Sequence, residues 1–142
     1  MYKRQAYGTR VIIEAFEANG VPVNELVACG GLPEKNRLLM QIYADVTGRP
    51  MKVSRSAQTC ALGAAIAGAV VAGAHRNFAA AQKAMTGLKP KVYTPNPKAH
   101  ATYRELYALY KRLHDAFGTQ EGSGNLHDVM KQLIEIRNRV RH

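Results

Sequence analysis

Residues 27–48 read VACGGLPEKNRLLMQIYADVTG, and this stretch decides the fold class. The mostly apolar run from Glu25 to Cys29 has the length of a buried parallel strand, and it stops at two consecutive glycines. Apolar residues then recur at helical spacing from about Asn36 to Thr47, and Gly48 follows as the residue that ends the helix. The stretch therefore predicts a strand, a glycine-rich loop and a helix, in that order.

Helices and a second strand are predicted on both sides of this stretch. A first helix is predicted from about Tyr7 to Asn19, and Met51–Val53 is predicted as a brief strand. A third helix is predicted from Thr59, as its cap, to about Ala74. Its apolar segment, 14 residues long, is too short for a membrane span of about 20 residues, so we expect a buried helix. This order of elements predicts an α/β fold.

The remainder of the chain is predicted to be a helical tail. The predicted elements are a short helix at Phe78–Met85, an extended or turning segment at Lys89–Pro97, and helices at about 98–117 and 125–140. Three tyrosines, Tyr103, Tyr107 and Tyr110, fall at helical spacing with leucines between them. The pattern favours a core or docking stripe over a platform on which nucleic-acid bases stack.

Composition narrows the class of protein. The 142 residues carry 20 Lys and Arg against 10 Asp and Glu, a net charge of +10, which favours anionic partners such as nucleotides. The charges are spread along the chain, so solvated basic faces are favoured over a nucleic-acid-binding arm.

Cys29 and Cys60 lie in no CxxC motif and are expected to be reduced and buried, as in a cytoplasmic protein. The scattered histidines predict no metal site, and no membrane partner is expected.

The diglycine is the best candidate for a ligand-binding element. Gly30 and Gly31 have no Cβ, so a nucleotide could approach the backbone closely. The start of the following helix offers free N–H groups and the positive end of a dipole. The loop matches neither a Walker A sequence nor GxGxxG, so a purely structural turn stays open as an alternative.

Longer motifs make a resemblance specific. Residues 27–48 resemble the nucleotide-binding loop of the FGGY carbohydrate kinases, and TCALGAAIAGAVVAG at 59–73 resembles a packing helix of the same domain. The segments at 92–118 and 122–137 resemble the carboxy terminus of the ribulokinases within that family. The resemblance covers residues 6–142. It implies an incomplete second domain of the actin-like, ribonuclease-H-like ATPase fold, followed by a helical extension.

The family resemblance implies roles for particular residues. Gly30 and Gly31 would line the ATP cleft, Leu32 would shape the loop, and Asn36 would lie near the adenine. Cys29 stands where relatives often carry an aspartate, which removes a possible polar contact. No catalytic residue or metal ligand is assigned in this chain, because the catalytic aspartate, the first phosphate-binding loop and most of the sugar site belong to the domain upstream.

The implied activity is phosphorylation of L-ribulose to its 5-phosphate by Mg²⁺-ATP, in arabinose breakdown. The sugar would be bound mainly by the amino-terminal domain, so we expect the 142-residue chain alone to be inactive. Three alternatives stay open: another sugar or polyol kinase, acting on xylulose or glycerol; a basic helical module that binds nucleic acid; and a degenerate, non-catalytic domain. An uncovered face could also make the chain a homo-oligomer.

The chain divides into three expected parts. Residues 1–5, MYKRQ, do not match the helix of the family and are interpreted as a non-native leader. Residues 6–88 are expected to form the nucleotide-side domain, and residues 89–142 the helical extension.

Overall fold

The computed structural model describes residues 2–118, 126 and 128–141, with only the backbone of Arg141. Most of the predicted loop between the last two helices therefore lies outside the described residues. The helices are α1 (Tyr2–Ala18), α2 (Leu32–Lys35), α3 (Arg37–Thr47), α4 (Thr59–Val71), α5 (Phe78–Met85), α6 (Pro97–Gly118) and α7 (Val129–Arg141). The strands are β1 (Leu26–Ala28) and β2 (Met51–Val53). No described helix is long and apolar enough to cross a membrane.

The start of α1 and the loop after the diglycine differ from the sequence prediction. α1 begins at Tyr2 rather than near Tyr7, because lysine, arginine, glutamine and alanine all favour helix and the buried Ala6 and Tyr7 anchor these first turns. The loop after the diglycine contains a one-turn helix, α2, whose first turn carries Pro33. A proline there fixes a helical φ and loses no internal hydrogen bond.

The two strands form a parallel sheet, as predicted. Val27 lies opposite Lys52, and α3 makes the crossover between the strands. The other edge of β2 pairs with the segment after α5, through antiparallel bridges from Met51 to Tyr93 and from Ser54 to Leu88. The prediction of an extended segment at Lys89–Pro97 is thereby confirmed over its first half. No described residue pairs with the outer edge of β1.

Helix α3 is the centre of the structure. One side of the helix packs on the sheet, and the opposite side packs on α1 and α6. The sheet side forms a buried cluster of Leu39, Met40, Ala44, Met51, Val53 and Tyr93. The other side forms a buried cluster of Ala6, Tyr7, Ile42, Val46 and Tyr107. The predicted tyrosine stripe of α6 is therefore confirmed as a core and docking stripe.

Helix α4 corrects the expectation of a buried helix. Only Ile66 is buried, and Val71 is 88% exposed, because among the helices α4 packs mainly on α5. The residue that precedes the helix is Gln58, and its side chain makes no capping hydrogen bond, so the predicted cap at Thr59 is also wrong. Small side chains allow another helix or a sheet to pack closely on α4. They do not determine whether such an element lies against it.

The two cysteines are free, as predicted, but both are exposed. Cys29 follows β1, whose outer edge is unpaired among the described residues, and Cys60 lies on the uncovered α4. The expected burial is wrong at both positions for the same reason: the neighbouring element has an open face.

Candidate functional site

The diglycine lies where β1 turns into α2. Gly30 has a φ of +88°, in the left-handed region that side chains rarely adopt, so glycine is required there to turn the chain away from the sheet. Gly31 has an ordinary helical conformation, with φ of −77° and ψ of −22°, and directly precedes Leu32, the first residue of α2. No side chain caps α2. The loop therefore presents backbone, rather than side chains, at the carboxyl end of β1.

The space around both glycines is open. A Cβ built on Gly30 or Gly31 would meet no described atom of the protein within 4 Å. Packing inside the chain thus requires glycine at neither position, and at Gly31 the backbone conformation does not require it either. The absence of a side chain at Gly31 leaves an accessible stretch of backbone, which a flat or charged ligand could approach.

Leu32 stands at the border between this open surface and an apolar cavity. Its side chain is 53% exposed, whereas the neighbouring Pro33 is buried. Leu32 and Pro33 line a cavity of about 270 Å³ together with residues of β1 and α3, among them Met40 and Tyr43. Gly30, Gly31 and Asn36 are not part of that lining. The structure therefore places the three consecutive residues 30–32 together on the loop, with only Leu32 reaching the cavity.

Asn36 has a defined structural role at the start of α3. Its side-chain oxygen accepts a hydrogen bond from the Leu39 backbone N–H at 2.9 Å, the geometry of a helix N-cap. The helix therefore begins one residue after the predicted start. The side-chain NH₂ of Asn36 has no hydrogen-bond partner among the described residues, so it is available to a ligand.

An ion pair that the sequence did not indicate holds the loop. Glu34 of α2 pairs with Lys89, which lies 55 residues further along the chain, in the segment that borders β2. A separation of this size leaves no periodic signal in the sequence. The pair offsets the charge of the carboxylate that follows the diglycine most closely in the sequence, which weakens its repulsion of a phosphate at the loop.

No described acid beside the loop is placed as a catalytic base. Glu25 and Glu34 each pair with a lysine, and no group of three or more potential metal-ligating side chains occurs in the described part of the chain. The tyrosines with a raised pKa lie elsewhere, in the cluster of α1 and α6. Burial, followed by the neighbouring Tyr103, raises the pKa of Tyr7 well above its usual range. Burial, followed by a hydrogen bond to Glu14, does the same for the pKa of Tyr107.

Solved structures with a similar fold are sugar kinases. A ligand-bound xylulose kinase from Lactobacillus acidophilus and a gluconate kinase from the same organism each superpose with a TM-score of 0.59 at 26% sequence identity. Each match covers 71% of this chain and 20% of the solved chain. The fold is therefore that of one part of a larger carbohydrate kinase.

Sequence relatives narrow this class to a family. The profile described as the FGGY family of carbohydrate kinases, C-terminal domain, matches residues 2–72. A ribulokinase of Geobacillus thermodenitrificans is 49% identical over 132 residues, which are 90% of this chain and 22% of the relative. A ribulokinase of Shouchella clausii is 49% identical over 141 residues, 96% of this chain and 24% of the relative. The chain belongs to the FGGY family of carbohydrate kinases, and it spans less than a quarter of the length of these relatives.

Proposed function

We propose that this chain is the nucleotide-side part of an ATP-dependent kinase that phosphorylates L-ribulose to its 5-phosphate, in the arabinose breakdown of a bacterial cytoplasm. The observation that carries the proposal is the open diglycine backbone at the carboxyl end of β1, in a chain whose relatives at 49% identity are ribulokinases. The solved xylulose and gluconate kinases are 26% identical. Ribulose is therefore favoured over xylulose or another polyol as the substrate.

The residues of this chain would bind and orient the nucleotide. The backbone at Gly30 and Gly31 would lie against ATP without an intervening side chain, and the free NH₂ of Asn36 would donate a hydrogen bond to it. Leu32 would supply an apolar contact at the edge of the cleft. ATP supplies the phosphoryl group, and positioning with charge stabilisation accounts for most catalysis in this reaction class.

In proteins Mg²⁺ is usually held by substrate phosphates together with one or two carboxylates. The described residues contain no group of three potential metal ligands, and we expect the ATP phosphates and residues of the amino-terminal domain to hold the ion. The proton acceptor for the sugar hydroxyl would also come from the amino-terminal domain. The 142-residue chain alone should then bind nucleotide weakly and transfer no phosphoryl group.

Nucleotide binding can be tested on the chain itself by NMR. Titration with ATP up to millimolar concentrations should shift the backbone amide signals of Gly30, Gly31 and Leu32 and the side-chain NH₂ signal of Asn36. Those shifts should saturate, whereas the amide signals of α5 and α7 should not shift. Saturating shifts confined to another part of the chain would contradict the proposed site. A coupled assay with L-ribulose and ATP on the same sample should show no turnover.

The substrate can be tested in a complete enzyme. The native reading frame that contains this chain and an amino-terminal kinase domain should be assayed with L-ribulose, xylulose and glycerol in parallel. The proposal expects the highest kcat/KM for L-ribulose. A higher kcat/KM for xylulose or glycerol would agree with a carbohydrate kinase but contradict L-ribulose as its substrate.

A further inference from the structure

A second cavity lies away from the glycine loop. It occupies about 380 Å³ between the start of α1, the first half of α6 and the end of α7. Small-molecule sites in proteins span roughly 300–1,000 Å³ and are lined mainly by apolar side chains. The larger aliphatic side chains of this lining are Leu106, Leu133, Ile136 and Val140. Its volume falls within that range and its lining is mainly apolar, and because Val140 is 60% exposed the cavity is open to solvent.

The charges at this cavity are all positive among the residues that the structure describes. Lys3 and Arg137 are the charged residues of the described lining, which contains no carboxylate. The Arg137 guanidinium contacts the neutral side-chain oxygen of Asn138, at 3.2 and 3.0 Å, and pairs with no carboxylate in the described part of the chain. Two residues further along α7, Arg139 does have such a partner, Glu105. The positive charge of Arg137 therefore stands beside an apolar cavity without a compensating acid among the described residues.

We propose that this cavity binds a small amphipathic anion, with an aromatic or alkyl group among the aliphatic side chains and a carboxylate beside Arg137. Guanidinium groups bind carboxylates through two parallel hydrogen bonds, and the interaction is stronger next to apolar surface than in water. Arg137 is the residue that selects for the charge. Lys3 adds a second cation, but its ammonium lies over the Tyr103 ring, 5.7 Å from the ring centroid, so Arg137 is the position to test.

A matched pair of probes tests the apolar and the charged part separately. The chain is titrated with 4-phenylbutyrate and with its neutral analogue 4-phenylbutanamide, and the methyl signals of Leu106, Leu133, Ile136 and Val140 are followed by NMR. Both probes should shift these signals, and the acid should bind roughly threefold to tenfold more tightly than the amide. Equal affinities, or shifts that fail to saturate at these methyl groups, would overturn the proposal.

Two arginine variants complete the test. Arg137→Gln should weaken binding of the acid to the level of the amide and leave the affinity for the amide unchanged. Arg76→Gln is the control, because Arg76 is also exposed, lies between α4 and α5 and does not line the cavity. An equal loss of affinity in both variants would show a general effect of net charge and reject the site. Since the site is separate from the glycine loop, none of these outcomes depends on the proposed kinase function.

Discussion

The imidazole ring of His100 lies against the backbone of Gly48. A Cβ built on Gly48 would come within 2.6 Å of the His100 Cε1 atom. On the same ring, Nδ1 lies 2.7 Å from the backbone carbonyl oxygen of Asp45, so Nδ1 carries the proton and donates it. Gly48 has a φ of +68° and ends α3. This contact joins the end of α3 to the first turn of α6.

Gly48→Ala should destabilise the chain for two reasons. A left-handed backbone costs a residue with a Cβ roughly 1–2 kcal/mol, and the clash with His100 adds an overpacking cost of about 1–3 kcal/mol. The measurement is the free energy of unfolding from urea denaturation followed by circular dichroism. Gly73→Ala is the control, because Gly73 has a φ of +75° but a Cβ added there would meet no described atom within 4 Å. If both variants lose the same stability, the His100 contact makes no difference.

Asp45→Ala should weaken the contact between α3 and the segment that precedes α6. Asp45 is 6% exposed, and its carboxylate accepts hydrogen bonds from the Asn96 backbone N–H at 2.8 Å and from Gln41 Nε2 at 2.9 Å. Without the carboxylate the Asn96 N–H loses its partner, which costs about 1–3 kcal/mol. Gln41→Ala keeps the bond to Asn96 and, besides the bond to Asp45, loses only an exposed hydrogen bond from Gln41 Nε2 to the Thr94 carbonyl oxygen at 2.8 Å, so it should cost less in the same denaturation measurement. A larger loss for Gln41→Ala would contradict this view of the contact.

Tyr7→Phe and Tyr107→Phe should have opposite effects on stability. The Tyr7 hydroxyl is buried and has no hydrogen-bond partner among the described residues, so its removal relieves an unsatisfied polar group. The Tyr107 hydroxyl donates to Glu14 at 2.6 Å, so its removal should cost about 1 kcal/mol. Thermal unfolding of both variants measures the difference. A lower Tm for Tyr7→Phe than for Tyr107→Phe would show that the Tyr7 hydroxyl has a partner in solution.

Stability should fall in alkaline solution. Burial raises the pKa of both Tyr7 and Tyr107 above the usual value of 10.0, so these phenols stay protonated in the folded chain when they already ionise in the unfolded chain. The unfolded state then binds fewer protons, and the free energy of unfolding decreases with rising pH. The stabilisation should be complete below about pH 10 and decline above it. Urea denaturation from about pH 8 to about pH 11 measures the slope, which should be shallower in the double variant Tyr7→Phe/Tyr107→Phe.

Gly31→Val should weaken nucleotide binding without unfolding the chain. The added side chain would meet no described protein atom at its Cβ, so stability should change by less than about 1 kcal/mol, but its methyl groups would occupy the space proposed for ATP. In a complete kinase that carries this chain, the KM for ATP should rise more than the KM for the sugar. Gly63→Val on α4 is a control, since a Cβ there also meets no described atom. An unchanged KM for ATP would remove Gly31 from the site.

Patterns among residues that are close in the sequence predicted much of the fold. Apolar periodicity identified α3 and α5 closely, and a glycine after the last apolar residue marked the end of α3 at Gly48. The diglycine after a short apolar run located the loop between β1 and α2. The turn at Gly30 could be predicted from the local sequence, because only glycine adopts a φ of +88° easily.

Other features depended on contacts between distant parts of the chain. Asp45 meets Asn96, and Glu34 meets Lys89, across 51 and 55 residues, and no spacing rule reaches that far. The exposure of α4 could not be predicted either. The composition of a helix shows that it is apolar, but not whether another element packs on it. The sequence by itself determined the order of the longer elements and the turn at Gly30, since these follow from propensity and backbone sterics, but it did not show the one-turn helix α2. Only the tertiary structure decided which faces are covered and which charges are paired, because burial and ion pairing belong to two segments at once.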